Sequence, residues 1–147
     1  GWRLGWMVFP SDLVRPVERL AQNIFISPPA LSQHVALAAF DCRDELDANV
    51  ARYAENRKIL QHALPRAGFG ALAPSDGAFY VYANVSRLTN DSQQFCQDML
   101  KETGVAATPG IDFDTARGNR YVRISFASDR ATVSRAADAL IRWLKSK

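Results

Sequence analysis

The sequence predicts an α/β chain, α+β-like in its larger part, with a small mixed or antiparallel sheet covered by helices. Three observations lead there. Apolar residues make up 48% and charged residues 22% of the 147, which is globular composition and excludes a disordered chain. From residue 41 onward the hydrophobic period changes in the order helix, two strands, helix, two strands, helix. The first 40 residues show a different order, one strand and then two helices, and are expected to belong to a neighbouring domain. The organisation predicted is therefore 1–40 and 41–147.

Residues Trp2 to Phe9 are a short apolar run closed by Pro10, the pattern of a buried strand. Ser11-Asp12 opens a helix carrying Leu13, Val17, Leu20 and Ile24 at helical spacing. Ser27-Pro28-Pro29 breaks the chain, since proline donates no backbone hydrogen bond and restricts the residue before it. Ala30 to Phe40 is so apolar that a buried helix is expected. Asp41 to Ala67 reads as one long helix with Leu46, Val50, Tyr53, Leu60 and Leu64 on a stripe and charges opposite. Pro65 and Gly68 end it.

Phe69–Ala73 and Ala78–Ala83 are expected as strands about the turn Pro74-Ser75-Asp76-Gly77. Asn90 is the expected start of a helix with Phe95, Met99 and Leu100, ended by Gly104. Val105–Thr108 is a short strand and 109–120 a polar loop. Tyr121–Ala127 is the last strand, with Val122, Ile124 and Phe126 on one face and Arg123 on the other. Ser128 is expected to cap a final helix with Val133, Ala137, Leu140 and Leu144.

The net charge is +3, from 18 basic and 15 acidic residues with no basic block, so a nucleic-acid face is not expected. No apolar run approaches the ~18 residues of a membrane span. Cys42 and Cys96 form neither a disulfide framework nor a metal spacing, and a reducing, cytoplasmic compartment is expected. Both are read as inert thiols, His34 as a packed or interface residue, and Tyr80 and Tyr82, on one face of their strand, as core or interdomain packing residues. The chain starts without Met and inside an apolar pattern, so it is expected to be the C-terminal piece of a longer protein.

Spacing alone offers no P-loop, nucleophile elbow or metal cluster. Two arginines stand out: Arg3 inside an apolar run and Arg123 alternating with buried residues. A guanidinium held away from water requires an anion, because it does not give up its proton, and carboxylate and phosphate match its two-pronged fork. The bland alternative is a surface-facing arginine on a half-exposed strand. For Arg123 the pattern leaves the two readings even.

Four motifs in order then resemble one family. They are Gly1-Trp2-Arg3-Leu4-Gly5-Trp6, Gly77-Ala78-Phe79-Tyr80, Gly104-Val105-Ala106-Ala107-Thr108-Pro109-Gly110-Ile111-Asp112-Phe113, and Arg123-Ile124-Ser125-Phe126-Ala127. Together they are similar to the C-terminal part of class I/II (fold-type I) pyridoxal-phosphate-dependent aminotransferases, including the small domain. The resemblance implies that residues 1–40 are the end of the large cofactor-binding domain and 41–147 the small domain. It implies that Arg3 binds the phosphate of pyridoxal 5'-phosphate and that Arg123 binds the substrate α-carboxylate. The Ser27-Pro28-Pro29 loop resembles the segment rimming the active site near the dimer interface. The resemblance also implies a homodimer acting on an amino acid and a 2-oxo acid.

In that family the lysine forming a Schiff base with the cofactor lies a few positions ahead of Gly1. No catalytic residue is therefore expected within the chain, and the chain alone is expected to be inactive and to hold the cofactor weakly or not at all. Two alternatives stay open at this point. One is a β-lyase or synthase of the same fold. The other is a non-enzymatic, aminotransferase-like effector domain of a transcriptional regulator.

Overall fold

The computed structural model describes residues 2–147. Its contacts divide the chain into two compact units, Gly1–Asp47 and Ala48–Lys147.

The first unit holds α1 (Ser11–Ile24), α2 (Ala30–Ala39) and the first turn of α3 (Arg43–Arg66). The strand expected over Trp2–Phe9 is not formed; residues 2–10 are irregular. A strand exists only by sharing a hydrogen-bond ladder, and no described residue offers one to this segment. Arg3 also sits at φ 56°, in the left-handed region and outside strand geometry. The helices do form, but the burial expected of the second does not. Ser32 is the buried residue of α2, whereas Leu31 and Leu37 are 66% and 67% exposed. The break at Ser27-Pro28-Pro29 is kept, and the Gln33 side chain ties it down by donating to the Pro28 carbonyl at 3.0 Å.

The second unit is two layers. After α3 come β1 (Tyr80–Asn84), α4 (Ser92–Thr103), β2 (Thr108–Pro109), β3 (Tyr121–Ser125) and α5 (Arg130–Lys145). The sheet is antiparallel in the order β1-β3-β2. Strands alternate faces, and here one face closes the core. Val81 and Ala83 of β1 and Val122 and Ile124 of β3 meet Leu60, Ala63 and Leu64 of α3. Phe95, Cys96 and Met99 of α4 and Val133, Ala137, Leu140 and Trp143 of α5 complete it. The α3 stripe packs on the core from Tyr53 onward and is fully buried first at Asn56, while Leu46 and Val50 ahead of it stay exposed. In α5 it is Trp143, not Leu144, that enters the core fully.

Polar groups fasten the layers. Asn56 is fully buried and donates Nδ2 to the carbonyls of Phe126 at 3.0 Å and Ser128 at 2.8 Å, joining α3 to the segment after β3. Trp143 donates Nε1 to Glu102 at 2.7 Å, joining α5 to α4. The helix starts lie one residue beyond the expected ones. Asp91 accepts from the Gln93 and Gln94 amides, and Asp129 from the Thr132 amide. A carboxylate serves these positions better than the preceding Asn90 or Ser128, since its charge also complements the helix N-terminus. The strand expected over Phe69–Ala73 shrinks to a bridge between Leu72 and Ala83. The one expected over Val105–Thr108 shifts to Thr108–Pro109, where pairing with β3 begins.

Candidate functional site

The outer face of the sheet is built by the alternation that builds the core. When Val122 and Ile124 turn inward, Arg123 turns outward in the central strand. Register then sets its neighbours, with Tyr82 of β1 on one side and Thr108 of β2 on the other. Arg123 is half-buried. Its Cζ lies 5.1 Å from the centre of the Tyr80 ring and 4.5 Å from that of Phe113. One terminal nitrogen donates to Thr108 Oγ1 at a long 3.4 Å. Among the described residues no carboxylate pairs with it. Most of its five donors are thus uncommitted.

The loop between β2 and β3 shapes one side of this face. It is made of two 3-10 turns, Gly110–Asp112 and Gly118–Arg120. They close on each other at two buried glycines. A methyl group on Gly110 would stand 2.6 Å from the carbonyl oxygens of both Gly118 and Tyr121, and one on Gly118 would collide with the Gly110 carbonyl. Asp114 pins the intervening turn by accepting from the Ala116 and Arg117 amides at 3.0 Å and pairing with the Arg117 side chain. These bonds, led by the Arg117 amide, hold its carboxyl below the usual carboxylate range. Tyr82 stacks on Tyr121 with ring centres 5.0 Å apart and planes 3° from parallel. Its hydroxyl is buried with no hydrogen-bond partner. Burial, and then the charge of Asp114, pushes that phenol up from its ordinary value.

Arg3 is placed otherwise than its sequence context suggests. It belongs to the first unit and is exposed, and the apolar strand expected around it is not formed. With Trp2, Trp6, Val35 and Ala39 it lines a shallow groove of about 440 Å³. It makes no ion pair among the described residues, so its donors too are uncommitted.

The remaining candidates divide. Cys96 is buried, and burial pushes its thiol up to about 11, far from a reactive thiolate. Cys42 donates its thiol to the Ala38 carbonyl at 3.3 Å. His34 is exposed, so of the packed and interface readings it is not packed within this chain. Tyr80 and Tyr82 share a face as expected, yet Tyr80 lies against Arg123. Sequence reasoning missed Phe113 as a neighbour of Arg123. It ends a quoted motif, but only the folded loop brings ring and guanidinium together across ten positions. No group of three metal-binding side chains occurs among the described residues, and none of their helices is long and apolar enough to cross a membrane.

The second unit is a two-layer α+β unit with an arginine on the outer face of its sheet, and comparison with known proteins identifies the family. The sequence model for aminotransferase class I and II matches residues 1–140, and the chain belongs to that family. It is 51% identical over 149 residues to valine–pyruvate aminotransferase of Mycobacterium tuberculosis, covering 100% of this chain and 38% of that protein. It is 32% identical over 146 residues to (5-formylfuran-3-yl)methyl phosphate transaminase of Methanocaldococcus jannaschii, covering 98% and 38%. The crystal structure of an aminotransferase from Mycobacterium tuberculosis superposes with a TM-score of 0.88 at 51% identity, covering 99% of this chain and 38% of that one. The chain thus spans about 38% of the length of these relatives.

Proposed function

We propose that this chain is the C-terminal part of a pyridoxal-phosphate-dependent aminotransferase that moves an amino group between an amino acid and a 2-oxo acid. Residues 1–40 then complete the large domain, and residues 41–147 form the small one. Arg123 binds the substrate α-carboxylate. The observation that carries this is its uncommitted guanidinium, half-buried on the open sheet face with no carboxylate against it. A charge so held binds a carboxylate through two parallel N–H···O bonds, which fix orientation as well as position. Fixing the carboxylate leaves the substrate Cα a single position relative to the reacting groups, and orientation of that kind lowers the barrier substantially.

Arg3 fits a phosphate-bearing cofactor, because its exposed guanidinium has no ion pair among the described residues and a guanidinium fork matches phosphate oxygens. The cofactor, when bound, supplies an electron sink for the bond broken at the substrate Cα. The lysines of this chain are Lys58, Lys101, Lys145 and Lys147, and none stands near Arg3 in sequence. The family's Schiff-base lysine would lie ahead of Gly1, so the chain alone is inactive and holds the cofactor weakly or not at all. The complete protein works in the cytoplasm as a homodimer. The names of the relatives, each an aminotransferase or transaminase, favour this reading over a lyase or a regulator.

The test is Arg123→Ala in the full-length protein, assayed with pyruvate and a panel of L-valine, L-alanine, L-aspartate and L-phenylalanine. Loss of the charge pair should weaken amino-acid binding by ~2–5 kcal/mol for every donor, since the contact is to a group they share. An unchanged apparent affinity would remove the clamp role from Arg123. A wild-type protein that turns over no donor would overturn the transaminase reading itself.

A further inference from the structure

We propose that Phe113 and Tyr80 are positioning residues that hold the Arg123 guanidinium ready for a carboxylate without occupying its place. The proposal rests on the reading of Arg123 as the carboxylate clamp. Several arginines of this chain have a partner among the described residues, and the partners differ; Arg52 stands over the Tyr53 ring at 5.5 Å and Arg135 donates to Thr132. Arg15, Arg43, Arg57 and Arg117 each face an acidic partner, respectively Glu18, Asp47, Asp76 and Asp114. Arg123 faces two aromatic rings, at 4.5 and 5.1 Å, and one long bond to a threonine. The difference is functional in kind. A resident carboxylate would order the side chain but would compete with an incoming one for the same donors. An aromatic ring attracts the cation through its quadrupole and carries no negative oxygen. It therefore restrains a long, flexible side chain while leaving its hydrogen bonds unspent, and the substrate need not supply that ordering when it binds.

The placement of Phe113 supports this. Its ring is 54% exposed and stands outside the core cluster. The backbone holds it there all the same. The Phe113 and Asp114 amides both donate to the Gly110 carbonyl, at 2.9 and 3.0 Å, and the Gly118 amide donates to Asp114 at 2.7 Å. The two glycines that let the turns touch thus deliver a large apolar side chain to the surface beside a charge. Tyr80 approaches from the first strand of the sheet, so the guanidinium is gripped by an element on each side.

The experiment uses the full-length protein with pyruvate and the best donor of the panel above. Phe113→Leu removes the quadrupole but keeps an apolar side chain of similar reach, and the KM for the amino acid should rise about two- to thirtyfold with kcat kept. Phe113→Tyr should restore the wild-type KM. In an Arg123→Ala background Phe113→Leu should have no further effect, because the ring acts through the arginine. Tyr80→Leu is the parallel variant, and thermal unfolding confirms that each is folded. An unchanged KM in both Leu variants, beside a raised KM in Arg123→Ala, would overturn the positioning role and leave the clamp standing. A Phe113→Leu effect that persists without Arg123, or that Phe113→Tyr fails to rescue, would also overturn it. No change in Arg123→Ala itself would remove the clamp on which the proposal rests.

Discussion

The two units of this chain contain similar fractions of apolar residues and use them oppositely. Every residue of the hydrophobic core lies in Ala48–Lys147, where Leu64, Val81, Ala83, Val85, Met99 and Val122 have no accessible surface at all. In Gly1–Asp47 the large apolar side chains face outward, with Trp6 at 73% and Ile24 at 74% exposure. Trp6 finds one ring, Phe40, at 5.6 Å. Amphipathic helices are present in both. What differs is closure. Three helices and a sheet offer each other complementary apolar faces, whereas two helices and an irregular segment leave theirs unmet. Amphipathicity therefore tells that a face is meant to be covered and not what covers it.

The largest test of this contrast is a pair of truncations. Leu64→Ala should cost about 2–5 kcal/mol, through lost burial and the cavity left behind. Leu37→Ala, in the exposed helix of the first unit, should stay within about 0.5 kcal/mol. Urea unfolding of the chain measures both. Equal losses would mean that the first unit has a core of its own.

A smaller effect of the same form is expected at glycines. Gly110→Ala places a methyl group against two backbone carbonyls and should destabilise by about 1–3 kcal/mol. Gly5→Ala meets nothing within 4 Å and should be near neutral. Thermal unfolding distinguishes them.

The smallest effect is on pH dependence. Glu102 accepts from Trp143 and pairs with Lys147, and these contacts, the Trp143 bond first, hold its carboxyl below its ordinary 4.5. A carboxyl lowered in the folded state stabilises it above the unfolded value and loses that contribution as pH falls through the folded one. Glu102→Gln should therefore flatten the decline in stability of the second unit below pH 4.5. A slope identical to wild type would remove Glu102 from that decline.

Much of the second unit was legible before folding. The helix of residues 43–66, the turn after Ala73 and the outward Arg123 each follow from period or punctuation, which are local properties. The strand expected over Trp2–Phe9 failed because strand formation is not local: an apolar run becomes a strand only beside a partner, and none is within reach of it here. The same reason trimmed Phe69–Ala73 to a bridge and moved Val105–Thr108 to its C-terminal end. The site divides likewise. Arg123 could be singled out by its alternation, but the rings beside it could not, since Tyr80 and Phe113 lie far ahead of it in the chain, on the first strand and on the folded loop.

The amino-acid order by itself determined the helices of the second unit, the face on which Arg123 emerges and, through four motifs in sequence, the family. Only the tertiary structure decided that two glycines would touch, that a phenylalanine would rest on the arginine, and that the segment around Arg3 would form no strand. Helical period and strand alternation arise within a few residues and can be read from neighbours. Contacts between segments depend on how separate elements pack and on which surfaces they leave uncovered, and no stretch of sequence carries that information alone.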